Sequence, residues 1–194
     1  MKRSITRDDI LPLDVWADVR RDRRRAVMDI KAVRRLDVGP FATVHFECWQ
    51  TMWFQVQEML WTEKGGDAQL ADELLAYNPL VPKGDELVAT VLLGIEDEIR
   101  RQRLLAGLGG IETTMELRFA GETIRGVPEG DVERTNEDGK TSSVHFLHFP
   151  FTPAQVARFR ATGTEVTFAV GHPNYRHMAV LPETVRRNLC DDFA

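Results

Sequence analysis

The sequence is poor in cysteine and in long apolar runs. Only two of its 194 residues are cysteines, Cys48 and Cys190, and they lie far apart. Two thiols exclude a disulfide scaffold, a multi-cysteine zinc module and an iron–sulfur cluster held by this chain alone. No stretch reaches the roughly 20 apolar residues of a membrane-spanning helix, and no apolar signal core follows the basic N-terminus. We therefore expect a cytoplasmic protein with unpaired thiols.

The sequence also lacks the short motifs that identify common enzyme classes. There is no P-loop, no dinucleotide-binding GxGxxG, no GxSxG, no HExxH and no EF-hand loop. The glycine-rich string at residues 107–110 follows a predicted helix rather than preceding one, so it indicates a helix end and not a phosphate-binding loop.

Charge is unevenly distributed along the chain. The net charge is −5, which argues against a general nucleic-acid binder. Residues 1–35, however, hold 11 Lys and Arg against 6 Asp and Glu, whereas the remainder holds 14 against 24. The densest run is Arg20, Arg21, Arg23, Arg24 and Arg25. This run indicates a surface for an acidic protein or nucleic acid, a solvated helix face, or a helix docked on acidic parts of this chain or a second copy.

The order of predicted elements indicates the fold class. Helices are predicted over residues 14–33, 48–63, 67–77, 96–108, 153–162 and 182–189, with residues 36–40 ending the first. Strands are predicted over residues 41–47, 87–93, 111–119, 122–127, 143–151, 165–171 and 175–181, with a polar loop at 128–142. We expect an α+β fold in which N-terminal helices pack on a mainly antiparallel sheet formed largely by the C-terminal half. Residues 1–194 form one domain in this interpretation, with 1–35 as a basic arm or dimer element.

Four histidines are candidate metal ligands: His145, His148, His172 and His177. His172 and His177 flank a predicted turn, and His145 and His148 lie three residues apart on a strand, so they point to opposite faces. A divalent metal could be held by His172, His177, one of the other two and Glu47. The alternative is that these histidines are buried or cap loops.

Two carboxylates are candidate catalytic groups. Glu58 lies among aromatic residues of a predicted buried helix, where a carboxylate needs a partner or acquires a shifted pKa. Its alternative role is a salt bridge to an arginine. Glu47 ends a predicted strand and could lie near the positive N-terminus of the following helix.

Several strings together resemble one known family. They are Lys2 to Ile10 with Pro12, Val38-Gly39-Pro40, Phe46-Glu47, Gln55 to Met59, Tyr77 to Pro82 and His172 to Tyr175. The chain resembles the bacterial family of unknown function numbered 3501 along nearly its whole length. That resemblance implies no established activity. It implies a genomic neighbourhood with rubrerythrin-like and iron–sulfur oxidoreductase proteins. The candidate ligand-binding residues are Gln55, Gln57, Tyr77, Asn78 and Tyr175.

These observations leave three functional hypotheses. The first is an accessory or binding protein linked to redox or oxidative-stress partners, which docks an acidic protein through the basic N-terminal helix or forms a homodimer. The second is a metal- or small-molecule-dependent enzyme that uses histidine and carboxylate groups. The third is a nucleic-acid-binding protein, which depends only on the arginine run.

Overall fold

The computed structural model describes residues 2–130 and 140–194. These ranges contain six α-helices: α1 (Leu13–Ala32), α2 (Trp49–Glu63), α3 (Gly66–Tyr77), α4 (Glu98–Ala106), α5 (Pro153–Arg160) and α6 (Glu183–Leu189). They also contain nine strands: β1 (Arg35–Val38), β2 (Ala42–Phe46), β3 (Glu86–Leu93), β4 (Met115–Phe119), β5 (Glu122–Arg125), β6 (Val127–Pro128), β7 (Val144–Pro150), β8 (Val166–His172) and β9 (Tyr175–Val180). None of the helices in these ranges has the length and apolar character that a bilayer crossing requires.

The strands form two antiparallel sheets. Sheet A has the order β1-β2-β3-β7-β6, and sheet B has the order β5-β4-β8-β9. The three longest helices of the described residues, α1, α2 and α3, all belong to the N-terminal half. The α+β class predicted from the sequence is therefore confirmed, with the strands divided between two sheets.

Sheet A lies between the helices and sheet B. Along β3, Leu87 and Ala89 join the buried cluster that contains the core of sheet B, whereas Val88 joins the cluster that contains α1, α2 and α3. Successive residues of a strand point to opposite faces, so both faces of sheet A are covered. The molecule consequently has three layers: helices, sheet A and sheet B.

The two hydrophobic clusters differ in their aromatic residues. The sandwich core, between the sheets, contains seven phenylalanines: Phe46, Phe119, Phe149, Phe151, Phe159, Phe168 and Phe193. The helical layer, formed by α1, α2, α3 and residues 2–12, is built around tryptophan. Trp16 is fully buried and meets Trp53 edge-on, with 5.5 Å between the ring centroids. Such a pair contributes about 0.5–1.5 kcal/mol beyond the area it buries.

The N-terminal segment, residues 2–12, is held by side chains rather than by a strand partner. The indole N–H of Trp49 donates to the carbonyl oxygen of Ser4, and that of Trp53 donates to the carbonyl oxygen of Asp9, each at 2.8 Å. These bonds satisfy main-chain oxygens that no regular element pairs. The segment is thereby fixed across α2.

Two helix starts in the described residues carry side-chain caps. The backbone N–H of Thr6 donates to the carboxylate of Asp9 at 2.9 Å, at the start of a short 3-10 turn. Helix α5 begins at Pro153, and the hydroxyl of Thr152 accepts a bond from the backbone N–H of Gln155 at 3.3 Å. Both follow the capping-box pattern.

Other predicted boundaries are wrong. Residues 36–40 do not end a helix, because Arg35–Val38 forms strand β1, which pairs with β2 through a turn at Gly39. The helix predicted from residue 67 begins one residue earlier, at Gly66, with Gly65 as its N-cap and Asp67 in its first turn. Residues 111–114 form a 3-10 turn rather than the start of a strand. Most of the predicted loop at 128–142 lies outside the described residues.

Candidate functional site

Helix α1 carries the arginine run on the outside of the helical layer. Only two of its 20 residues are buried, and Arg21, Arg24 and Arg25 are exposed. Among the described residues, Arg24 and Arg25 form no ion pair, and Arg21 has only Asp22 of the same helix, at 3.7 Å. We call these three arginines the basic surface. It presents positive charge to solvent without an ion pair to another described element, and the charge of Arg24 acts at longer range on Glu58 of α2, whose pKa it helps to lower.

Glu58, a candidate catalytic residue, is engaged in a salt bridge. Arg20 donates from Nε and Nη2 to the two carboxylate oxygens, each at 2.8 Å, and the indole N–H of Trp16 adds a bond at 3.2 Å. The hydrogen bonds from Arg20 hold the pKa of Glu58 below its usual value. Glu58 therefore stays ionised and joins α1 to α2. An ionised carboxylate has no proton to give, so it is unsuited to act as a general acid.

The candidate ligand residues Gln57 and Asn78 hold the N-terminal segment. The side-chain oxygen of the fully buried Gln57 accepts from the backbone N–H of Leu11 at 2.6 Å. Asn78 accepts from the N–H of Ile5 at 2.6 Å and donates to the carbonyl oxygen of Ile5 at 2.9 Å. These contacts occupy the amide groups that a ligand would need.

The other candidate ligand residues also have partners within the chain. Gln55 lies near enough to Tyr77 for its side chain to act on the Tyr77 hydroxyl, and burial, the larger effect, raises the pKa of Tyr77. The hydroxyl of Tyr175 donates to the carbonyl oxygen of Val38 at 2.6 Å and accepts from the N–H of Ala42 at 3.0 Å. Tyr175 thus closes the β1–β2 turn from sheet B, and burial raises its pKa.

Glu47 lies buried between β2 and α2. The hydroxyls of Thr51 and Thr90 donate to its two oxygens, each at 2.6 Å. His45, two residues earlier, is close enough for the Glu47 charge to act on its pKa, yet burial is the larger effect and lowers that pKa. The buried Nδ1 of His45 has no hydrogen-bond partner among the residues that the structure describes. A reactant would have to displace both threonine hydroxyls to reach the carboxylate.

The prediction that His145 and His148 point to opposite faces is confirmed. His145 lies on the same face of β7 as Leu147 and is fully buried in the sandwich. On the other face, His148 lies between two carboxylates, with Nδ1 2.8 Å from Glu86 and Nε2 2.6 Å from Glu129. The hydrogen bond to Glu86, joined by that to Glu129, raises the pKa of His148. A protonated imidazole that donates from both nitrogens has no lone pair for a metal.

His172 and His177 occupy separate environments. The Nδ1 atom of His172 accepts from the backbone N–H of Asn174 at 3.2 Å, and its Nε2 lies 3.3 Å from the carbonyl oxygen of Gly109. The ring of His177 packs against that of Tyr175, with 4.5 Å between centroids. Across residues 2–130 and 140–194, no three His, Cys, Asp or Glu side chains form a group that could hold a metal. The candidate ligands are not brought together.

Sequence reasoning missed the carboxylates that bind His148 and a buried ion pair. The guanidinium of Arg34 donates to the carbonyl oxygens of Phe46 and Glu47, each at 2.9 Å, and pairs with Asp192. Burial raises the pKa of Asp192, and the charge of Arg34 opposes that rise. No local pattern signals either arrangement, because the partners are distant in sequence. Arg34 and Asp192 lie 158 residues apart, and Glu86 and His148 lie 62 apart.

Comparison with known proteins places the chain in a family. The model of a family described as "Protein of unknown function (DUF3501)" matches residues 4–193. The chain belongs to the DUF3501 family. This DUF3501 protein is similar to a crystal structure, at 1.90 Å, of a novel protein of unknown function from Burkholderia pseudomallei K96243. The two are 35% identical, cover 98% of this chain and 100% of that one, and superpose with a TM-score of 0.91. A search of curated proteins returns no match.

The family resemblance recognised in the sequence is therefore confirmed. Three of the DUF3501-like strings meet in the structure. Ile5 of the first bonds Asn78 of the fifth, while Gln57 of the fourth holds Leu11, beside the first string. In this DUF3501 protein those strings build part of the helical layer.

Proposed function

We propose that this DUF3501 protein is an accessory binding protein that docks an acidic partner protein on the basic surface of α1. The observation that carries this proposal is the exposure of Arg21, Arg24 and Arg25 without an ion-pair partner from another described element. Unpaired surface cations attract an acidic partner over several ångströms and orient its approach. These arginines lie in the segment of residues 1–35, which has a net positive charge, whereas the remainder of the chain is net negative.

A protein partner fits α1 better than a nucleic acid. The same helix carries four aspartates: Asp14, Asp18, Asp22 and Asp29. These carboxylates would repel a continuous phosphate backbone, whereas a protein surface can place an acidic patch on the arginines alone. The net charge of −5 points the same way.

The finer proposal is that the partner belongs to a redox or oxidative-stress system of the cytoplasm. Its support is the family resemblance, which implies rubrerythrin-like and iron–sulfur oxidoreductase neighbours. The surface chemistry itself requires only an acidic face. The competing hypothesis of a metal-dependent enzyme receives no support from the separate surroundings of the candidate histidines and carboxylates.

A charge-reversal pair tests the proposal. Arg24→Glu with Arg25→Glu removes most of the basic surface, and Arg100→Glu with Arg103→Glu makes the same change on exposed positions of α4. A rubrerythrin-like protein and an iron–sulfur oxidoreductase are titrated by biolayer interferometry at low and high salt. We expect the α1 variant to weaken the Kd about tenfold or more, and the α4 variant to leave it unchanged.

Two outcomes contradict the proposal. Equal binding by the two variants, or binding that salt does not weaken, removes the basic surface as the docking site. Loss of RNA or DNA retardation in the α1 variant, without loss of protein binding, assigns the surface to nucleic acid. Light scattering on the same samples separates docking of a partner from self-association.

A further inference from the structure

A cleft of about 290 Å³ lies between α1 and α2, beside the N-terminal segment. It is lined mainly by aromatic and aliphatic side chains, with few polar ones. Its apolar lining consists of Leu11, Ala26, Val27, Ile30, Trp49 and Trp53, and its polar lining of Asp9, Arg23 and Gln50. This composition, a largely apolar wall with a few placed polar groups, is that of small-molecule sites.

The aromatic wall of the cleft is rigid. The rings of Trp49 and Trp53 stack with 5.8 Å between centroids and 12° between planes. Both indole N–H groups are tied to the main chain of the N-terminal segment, through Ser4 and Asp9. The indoles therefore cannot rotate away, and the exposed part of Trp49, over whose ring the Lys2 ammonium lies 5.1 Å from the centroid, offers a fixed aromatic surface. A preformed wall lowers the ordering cost of binding.

The charge in the cleft is positive. The guanidinium of Arg23 lies 5.7 Å from the centroid of the Trp53 ring and forms no ion pair with any described residue. The Asp9 carboxylate is already engaged, since the N–H and the hydroxyl of Thr6 donate to it at 2.9 Å and Lys2 pairs with it. Arg23 is thus the lining charge that lacks a counter-ion among the described residues.

We propose that this cleft binds a small amphipathic anion, whose apolar body lies on Trp49, Ala26 and Ile30 and whose carboxylate pairs with Arg23. The volume admits about ten non-hydrogen atoms, taking about 30 Å³ for each. A ligand of that size binds with a Kd on the order of 0.1 mM. The site is separate from the basic surface, so it stands independently of the proposed docking function.

Three probes of matched size test the chemistry. Octanoate carries an anionic head, octanol a neutral one and octylammonium a cationic one. Each is titrated into ¹⁵N-labelled protein, and the indole N–H signals of the four tryptophans are followed. We expect saturable shifts at Trp49 and Trp53 with Trp61 unchanged, octanoate binding about fivefold tighter than octanol, and no saturation with octylammonium.

Two variants locate the site. Arg23→Gln removes the charge at an exposed position and should weaken octanoate to the level of octanol, while leaving octanol unchanged. Ala26→Phe fills the cleft and should abolish both. Arg25→Gln, two residues along the same helix, is the matched control and should bind octanoate like the unaltered protein.

The proposal is overturned by any of three results. They are equal affinity for octanoate and octanol, octanoate binding that Arg23→Gln leaves intact, and shifts confined to Trp61. The Arg24→Glu and Arg25→Glu protein, which lacks the basic surface, should still bind octanoate. The Arg23→Gln and Ala26→Phe variants therefore test the cleft, whereas the Arg24→Glu and Arg25→Glu protein tests the docking proposal.

Discussion

The sandwich core and the helical layer satisfy their backbones in different ways. Between the sheets, strand ladders pair most of the main chain, and the side chains that pack there are mainly apolar. In the helical layer, the N-terminal segment has no ladder, and Trp49, Trp53, Gln57 and Asn78 supply its hydrogen bonds from side chains. A segment held by a few side-chain bonds can be released locally, whereas a ladder is lost cooperatively.

This difference places the candidate binding features in the helical layer. Both the basic surface and the cleft belong to α1, a helix of which only Trp16 and Val27 are buried. A helix that gives little of its surface to the core leaves the rest exposed to solvent, where other molecules can reach it. Gln57 and Asn78, which the sequence suggested as ligand-binding residues, instead hold the N-terminal segment in place.

The largest expected effect comes from the sandwich core. Phe168 is fully buried and packs edge-on against Phe149, with 5.8 Å between centroids. Phe168→Ala should lower the free energy of unfolding by about 3–5 kcal/mol, because it removes buried apolar area and leaves a cavity. Urea unfolding followed by circular dichroism measures the loss, and Thr167→Ala, on the opposite face of β8, is the control.

The same experiment asks whether the layers unfold together. All four tryptophans lie in α1 and α2, so their fluorescence reports on the helical layer alone. Coincident fluorescence and dichroism transitions would mean that the layers form one cooperative unit. A fluorescence transition at a lower urea concentration would show that the helical layer unfolds before the sandwich core.

An intermediate effect is expected from Gln57→Leu. The substitution leaves the backbone N–H of Leu11 without its acceptor, at a cost of about 1–3 kcal/mol. Hydrogen exchange should show lost protection at Leu11 with strands β3 and β7 unchanged. Gln102→Leu, at an exposed position of α4, serves as the control. Uniform loss of protection throughout the molecule would contradict the local release.

A smaller, pH-dependent effect is expected from His148→Gln. Because Glu86 and Glu129 raise the folded-state pKa of His148 above 6.5, their contribution is fully present below about pH 6.5. It is lost as the pH rises through the folded-state pKa. The stability difference between the two proteins, measured by urea unfolding from pH 5.5 to 8.5, should therefore shrink with rising pH. A constant difference would show that the bonds act without proton binding.

The smallest effect is expected from reversing the basic surface. Arg24→Glu with Arg25→Glu touches no ion pair of a described residue and should change the free energy of unfolding by about 0.5 kcal/mol or less per site. A thermal melt at neutral pH measures it. A larger loss would mean that α1 is held to the acidic remainder of the chain, which the sequence left open.

The sequence predicted elements whose signals are local. The helix predicted over residues 153–162, which is α5, and the strand predicted over 143–151, which contains β7, depend on neighbours a few residues away. Strand β1 was missed because four residues followed by Gly39 look like a helix end. Its strand character comes from pairing with β2, not from its own composition.

The candidate site was predicted less well, because partners are set by register and not by spacing. Glu86 reaches His148 since β3 and β7 pair with Val88 opposite His148, a match between residues some 60 positions apart. The salt bridge of Glu58 was foreseen as an alternative, since a carboxylate among aromatic residues needs a cation. Which arginine supplied it, Arg20, depended on how α1 crosses α2.

The hydrogen bond between Arg3 and Asp192 has a consequence for biosynthesis. The guanidinium of Arg3 donates to the carbonyl oxygen of Asp192 at 2.6 Å, across 189 positions of sequence. A ribosome adds about 5–20 residues per second, so roughly 10–40 seconds separate the synthesis of these two residues. The edge of the helical layer that contains Arg3 is thus completed only after Asp192 has been made, and the nascent protein must keep Arg3 available until then.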